Sequence, residues 1–145
     1  MTSWGRGLPL EPAAITEVVR RGEPILALIH YEVVEIGDGN ACAVFQHTPY
    51  AVRIGGVLHG GVIAAALDET LGVAVLTVNH GADQVTVELK INYLEPGRVG
   101  PYRVCGQVVR RGSRIVVAEG EVRDANGVVI AKALGTWYIL SKAIS

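Results

Sequence analysis

His59-Gly60-Gly61-Val62-Ile63-Ala64-Ala65-Ala66-Leu67-Asp68-Glu69-Thr70-Leu71-Gly72-Val73-Ala74-Val75-Leu76 is the stretch on which the fold turns. It is apolar on nearly every side, and a helix of that kind belongs in a core. Two adjacent carboxylates, Asp68 and Glu69, sit in its middle, where charge is costly unless paired or used. Gly60 and Gly61 at its start leave backbone N–H groups open to a ligand. An open helix N-terminus with a placed carboxylate suits acyl transfer, in which an oxyanion must be stabilised.

Working outward, Thr48 to Leu58 reads as a loop holding Pro49, Gly55 and Gly56. Further upstream, Glu11 to Arg21 reads as a short helix. Pro12 suits its first turn, Gly22 its stop, and Ile15, Val18 and Val19 its apolar stripe. Ile25 to Ile36 is strand-like in its second half. Gly37-Asp38-Gly39-Asn40 is a turn signal, and Ala41 to His47 reads as a second strand. The central helix runs from about His59 to Val78.

Downstream, Val85, Val87, Leu89, Ile91 and Tyr93 alternate with Thr86, Glu88, Lys90 and Asn92. That period predicts a strand with its odd face in the core and Thr86 on the polar face. Tyr102 to Arg110, Arg114 to Arg123 and Val128 to Leu140 supply further strands. They are joined by Arg111-Gly112-Ser113 and the Asn-Gly signal in Asp124-Ala125-Asn126-Gly127. Hairpin-length connections imply an antiparallel sheet. A single long apolar helix needs cover on most sides, and a strongly curved sheet wrapped round it supplies that cover. The expected class is therefore α+β.

With 145 residues and no repeats or interior linker, the chain reads as a single domain, 1–145, with residues 1–10 as a loose tail. Half the residues are hydrophobic and the net charge is -1, which favours neither nucleic acid nor a disordered tail. Met1 to Pro9 lacks the apolar stretch of a signal peptide, and no apolar run reaches the ~18 residues of a membrane span. Cys42 and Cys105 show no metal-ligand spacing and read as structural thiols of a reducing compartment. The expectation is a soluble, cytoplasmic protein. Trp4 and Trp137 read as packing residues.

Laid out this way, the chain resembles the hotdog-fold acyl-CoA thioesterases. Within them it looks most like the phenylacetate-degradation group and relatives acting on 4-hydroxybenzoyl-CoA. His59-Gly60-Gly61, six intervening residues and Asp68 carry the likeness, together with Val85 to Pro96, over about residues 24–140. The resemblance implies a curved sheet wrapped around a long central helix. It implies Asp68 as nucleophile or general base, the Gly60 N–H aimed at the thioester oxygen, and Thr86 assisting the carboxylate or its water. It also implies acyl-CoA lying in a groove between two subunits. Many relatives carry an asparagine six residues before the histidine; here Arg53 stands there, and it cannot accept a hydrogen bond.

Thioester hydrolysis needs a polarised carbonyl, a nucleophile and a stabilised oxyanion. Glycine N–H groups at a helix start, aided by the helix dipole, meet the first and last needs. Asp68 either attacks directly or activates water, and Glu69 stands as a second base or as a partner for a cation such as Arg53. Gly60 and Asp68 are eight residues apart, ~12 Å along a helix at 1.5 Å per residue. One carbonyl cannot reach both on one straight helix, so Gly60 of one subunit is expected to work with Asp68 of another. The expected assembly is a homodimer or a tetramer of dimers. His59 stands with the catalytic residues, its expected part being to cap or brace the turn. Gly61, Glu69, Arg53, Arg111 and Arg114 are candidates for substrate contact. The run Arg110, Arg111, Arg114 is either a solvated hairpin tip or an anchor for CoA phosphates. His30, His47 and His80 form no ligand cluster, so no metal or cofactor is expected, nor a membrane or nucleic acid partner. Two alternatives stay open: a hotdog-fold hydratase or dehydratase, and a non-catalytic acyl-CoA-binding module.

Overall fold

A computed structural model describes residues 9–140. The elements run α1 (Pro12–Gly22), α2 (Pro24–Leu28), β1 (Glu32–Gly37), β2 (Asn40–Phe45), α3 (Gly60–Leu76), β3 (Asp83–Tyr93), β4 (Tyr102–Arg111), β5 (Ile115–Arg123) and β6 (Val129–Leu140). The six strands form one antiparallel sheet in the order β1-β2-β4-β5-β6-β3. The expected hotdog architecture is present: the curved sheet wraps α3, and Ala66, Leu67, Leu71, Val73, Ala74 and Val75 are wholly buried.

Two strand glycines let the sheet approach the helix. A Cβ at Gly106 would lie 2.7 Å from Leu71 Cδ1, and one at Gly120 would lie 2.6 Å from the same atom and 2.5 Å from the Cys105 carbonyl oxygen. Gly106 and Gly120 are paired on adjacent strands, so together they form the notch that receives Leu71. Gly120→Ala is expected to cost about 1–3 kcal/mol through overpacking, read as a lowered midpoint in chemical denaturation. An unchanged midpoint would mean that the sheet yields freely at this point.

Helix α1 closes one end of the core with Ile15 and Val19, both fully buried. Its buried stripe differs from the expected one. Val18 is 40% exposed, and Thr16 is buried in its stead. The Thr16 hydroxyl donates to the Pro12 carbonyl at 2.8 Å and accepts from the Val33 N–H at 2.9 Å, which ties α1 to β1. The first half of the 25–36 segment forms the short α2, which begins at Pro24. Trp137 is buried as expected, whereas Trp4 and nearly all of the supposed tail lie outside the described residues.

The cysteine reading is corrected. Cys42 and Cys105 face each other across β2 and β4 and form a disulfide. Sixty-three residues separate them in sequence, and only the antiparallel register brings them together.

Strand β3 departs from the sequence pattern too. Among the described residues it is a sheet edge, paired with β6 alone, and Val87 and Tyr93 are 61% and 53% exposed. Of the odd apolar residues in the strand, Leu89 and Ile91 pack against the core.

Candidate active site

The N-terminus of α3 is built residue by residue. His59 is extended (φ -69°, ψ 130°) and caps the helix, its Nδ1 accepting the Gly61 N–H at 2.8 Å. The bracing role expected of His59 is what the geometry provides. It also settles the tautomer, because a nitrogen that accepts a backbone N–H carries no proton of its own. The Tyr93 hydroxyl donates to the Gly60 carbonyl at 2.8 Å, and a Cβ at residue 60 would touch the Tyr93 ring at 3.4 Å. Glycine therefore lies flush against an aromatic ring here. The Gly60 N–H has no acceptor among the described residues, whereas that of Gly61 is occupied.

The loop before the helix is clamped at several points. The His59 N–H donates to the Ala51 carbonyl at 2.8 Å, and Leu58 donates to the Gly97 carbonyl at 2.9 Å. Val52 and Leu58 form an isolated bridge. His47 Nε2 donates to the Gly56 carbonyl at 3.1 Å, which leaves Nδ1 to accept from the Tyr102 hydroxyl at 2.5 Å. Burial, with the charge of Asp124 second, pushes the Tyr102 phenol up to about 12.

Asp68 lies halfway along α3, and the Thr86 hydroxyl donates to its Oδ1 at 2.7 Å. This corrects the expected placement of Thr86 on the polar face. Thr86 pairs with Trp137 and Glu88 pairs with Thr136, leaving Val87 as an extra residue in a β-bulge. Before the bulge, the even residues Gln84 and Thr86 face α3, with Gln84 Nε2 donating to the Gly72 carbonyl at 2.7 Å. After it, the odd residues Leu89 and Ile91 face the core. The bulge changes the parity of the strand and aims Thr86 at Asp68, as bulges beside functional groups do.

Glu69 points elsewhere, and its supposed pairing with Arg53 is absent. Its carboxyl hydrogen-bonds Glu23 at the junction of α1 and α2. Burial first, then that hydrogen bond and the charges of Glu23 and Asp68, raise its pKa well above the usual carboxylate range. Burial also raises the phenol of nearby Tyr31, which hydrogen-bonds Thr70 at 2.8 Å. A raised pKa favours the protonated carboxyl, which makes Glu69 the poorer nucleophile. The folded state keeps this proton to a higher pH than the unfolded chain, where a glutamate titrates near about 4.3. The resulting stability is full below that value and is lost as pH rises through the raised folded pKa. Glu69→Gln removes the titration, so its thermal midpoint is expected to fall less than that of the wild type as pH rises above the unfolded value of about 4.3. Parallel curves for the two proteins would place the proton elsewhere.

The arginines are dispersed. Arg53 is exposed, and its guanidinium donates to the Ile54 carbonyl beside it. Arg111 forms an ion pair with Asp38 at 3.0 Å. Arg110, Arg111 and Arg114 cluster at the β4–β5 tip, at the C-terminal end of α3. There the Thr77 hydroxyl accepts the Gly39 N–H at 2.8 Å, and Arg111 borders Gly39. Gly60 lies at the opposite end, beside Tyr93. Within one chain the structure therefore brings together His59, Gly60 and Gly61 at the mouth, and Asp68 with Thr86 further along. Glu69, next to Asp68 in the chain, turns to Glu23 instead, and Arg111 and Arg114 lie apart from both groups. Tyr93, His47 and Glu23 were not singled out by sequence reasoning. Of these, only Tyr93 carried a signal, as an aromatic closing an alternating strand.

A family model described as "Thioesterase superfamily" matches residues 55–131. A provisionally named esterase of Saccharolobus solfataricus is 46% identical over 127 residues, covering 88% of this chain and 91% of that protein. The medium/long-chain acyl-CoA thioesterase YigI of Escherichia coli K12 is 31% identical over 97 residues, covering 57% of this chain and 63% of its own length. A hypothetical thioesterase of Streptococcus pneumoniae, solved with coenzyme A, superposes with a TM-score of 0.71 at 25% identity. That match covers 79% of this chain and 91% of the other.

Proposed function

Because the chain belongs to the thioesterase superfamily, we propose that it hydrolyses acyl-CoA thioesters, with aryl or medium-chain acyl groups, to the free acid and CoA. The observation that carries this reading is the half-buried Asp68 holding the hydrogen bond of Thr86 on a bulged edge strand. The unpaired Gly60 N–H polarises the thioester carbonyl and stabilises the oxyanion. Asp68 acts by one of two balanced routes. In the first, its Oδ attacks the carbonyl carbon, the C–S bond breaks and CoA leaves as thiolate, and water then cleaves the mixed anhydride. In the second, it takes a proton from water as that water attacks the carbonyl carbon, and collapse of the tetrahedral intermediate breaks the C–S bond and releases CoA as thiolate. A thiolate is a good leaving group, so neither route requires a strong acid beside the sulfur. Thr86 orients the carboxylate.

The catalytic unit in this reading is a homodimer. Continuous helix between Gly60 and Asp68 holds them about 12 Å apart, too far for one carbonyl. The free edge of β3, eleven residues long with Val85 and Val87 exposed, supports association with a second copy, alone or within a tetramer. Solved relatives with coenzyme A or acetyl CoA support the CoA half of the substrate. The phosphates then fall to exposed cations. Arg53 stands on the loop leading to the mouth, whereas Arg111 and Arg114 reach a site only from a neighbouring subunit.

The hydratase reading asks for histidine as a base. His59 Nδ1 is occupied by the Gly61 N–H and its other nitrogen carries the proton, which disfavours that role. The test is to follow thiol release from a panel of aryl and fatty acyl-CoAs. Turnover supports hydrolysis. Binding without thiol release would replace it with the acyl-CoA-binding module.

A further inference from the structure

We propose that Tyr93 is a positioning residue that sets the carbonyl-polarising donor through a relay across one peptide group. This inference rests on the thioesterase reading of the same site. The Tyr93 hydroxyl donates to the Gly60 carbonyl, and the N–H on the other side of that peptide, at Gly61, donates to His59 Nδ1. Both bonds measure 2.8 Å. The 60–61 peptide is thus gripped at its oxygen and at its hydrogen. Each bond polarises the peptide in the sense that strengthens the other.

The consequence falls on the preceding peptide. The 59–60 peptide is held at its own carbonyl, which accepts the Val62 and Ile63 N–H groups at 3.0 and 3.2 Å, and the gripped 60–61 plane and the His59 N–H on the Ala51 carbonyl add a restraint on either side. The Gly60 N–H is left as the backbone donor at the mouth with no acceptor among the described residues, and these bonds together fix its direction. Glycine is the residue that most needs such bracketing, since its backbone is otherwise the least restrained. The Tyr93 ring adds a second restraint by packing against the Gly60 Cα, where a Cβ would sit at 3.4 Å. Tyr93 lies at the end of the free edge strand, 53% exposed. The strand that carries Thr86 to Asp68 therefore also carries Tyr93 to Gly60, and β3 places both halves of the site.

The test combines a readout of the relay with a readout of turnover. In 15N-labelled protein, the ring nitrogens of His59 should report a neutral imidazole protonated at Nε2. In Tyr93→Phe, which keeps the ring, the Gly61 amide proton should move upfield as its partner bond weakens. Tyr93→Phe should also lower kcat about tenfold with KM nearly unchanged. His59→Ala should not add fully to that loss, because both residues act on one peptide. An Nδ1-protonated His59, or a Gly61 amide indifferent to Tyr93→Phe, overturns the relay. A wild type that releases thiol while Tyr93→Phe retains full kcat overturns the positioning role alone. A wild type that releases no thiol, with the amide shifts as expected, overturns the thioesterase reading and the positioning role with it, and leaves only the hydrogen-bonded relay standing.

Discussion

Asp68→Asn is expected to lower kcat for thiol release by about a thousandfold while leaving KM within a small factor. Asparagine keeps the shape and an Oδ1 that still accepts the Thr86 hydroxyl, so the helix and the bulged strand have no reason to move. It removes only the anionic oxygen, which both routes require. Asp68→Ala should lose as much, which guards against slow deamidation restoring the aspartate. The neighbouring carboxylate provides the contrast. Glu69 faces Glu23 with its pKa raised by burial and by that neighbour, so Glu69→Gln changes little that the reaction uses and should retain most of the activity. The measurement is initial rate against acyl-CoA concentration for the variants and wild type. Asp68→Asn within tenfold of wild type would remove Asp68 from the chemistry. A Glu69→Gln variant as dead as Asp68→Asn would move the reaction to the wrong carboxylate for this reading.

The different fates of these two adjacent carboxylates mark how far the sequence was legible. The helix from Gly60 to Leu76 could be read because apolar residues on every side admit one setting, the inside of a curved sheet. The start of that helix could be read because His59-Gly60-Gly61 is followed at once by the apolar run, and the structure starts α3 at Gly60. The bulge at Val87 could not be read. A strict period of two puts Thr86 opposite Leu89, and no residue in that run announces the extra one; the register of β3 on β6 decides it. The Glu23–Glu69 contact was equally hidden, since it joins the junction of α1 and α2 to the middle of α3, far away in sequence. The disulfide depends in the same way on the pairing of β2 with β4. Local pattern revealed the elements, and for α3 its burial, but not the buried faces of α1 and β3. Contacts set by long-range register needed the structure.

Mixing two inactive variants is expected to restore activity, and this is the sharpest test of a site shared between subunits. Gly60→Pro deletes the polarising N–H and little else. Residue 60 is the first of the helix, where proline is well tolerated. His59 before it is already in the extended region that proline demands of its predecessor. The space at residue 60 admits a Cβ in ordinary contact with Tyr93. Loss of one such donor should lower kcat about a hundredfold or more. A dimer of one Gly60→Pro chain and one Asp68→Asn chain has one site lacking both groups. Its other site has the Gly60 N–H of one chain and the Asp68 of its partner, and is intact. After subunit exchange at equal amounts, half the dimers are mixed, each with one good site of two, so the mixture should recover about a quarter of wild-type activity. If instead each chain held its own complete site, every site in the mixture would carry one defect. The activity would then equal the average of two nearly dead parents. Mixing wild type with a chain carrying both substitutions separates the cases again. The mixed dimer there carries the Asp68→Asn defect at one site and the Gly60→Pro defect at the other, so exchange should reduce activity rather than restore it. Recovery in the first mixture with loss in the second follows only if Gly60 and Asp68 of different chains face one carbonyl.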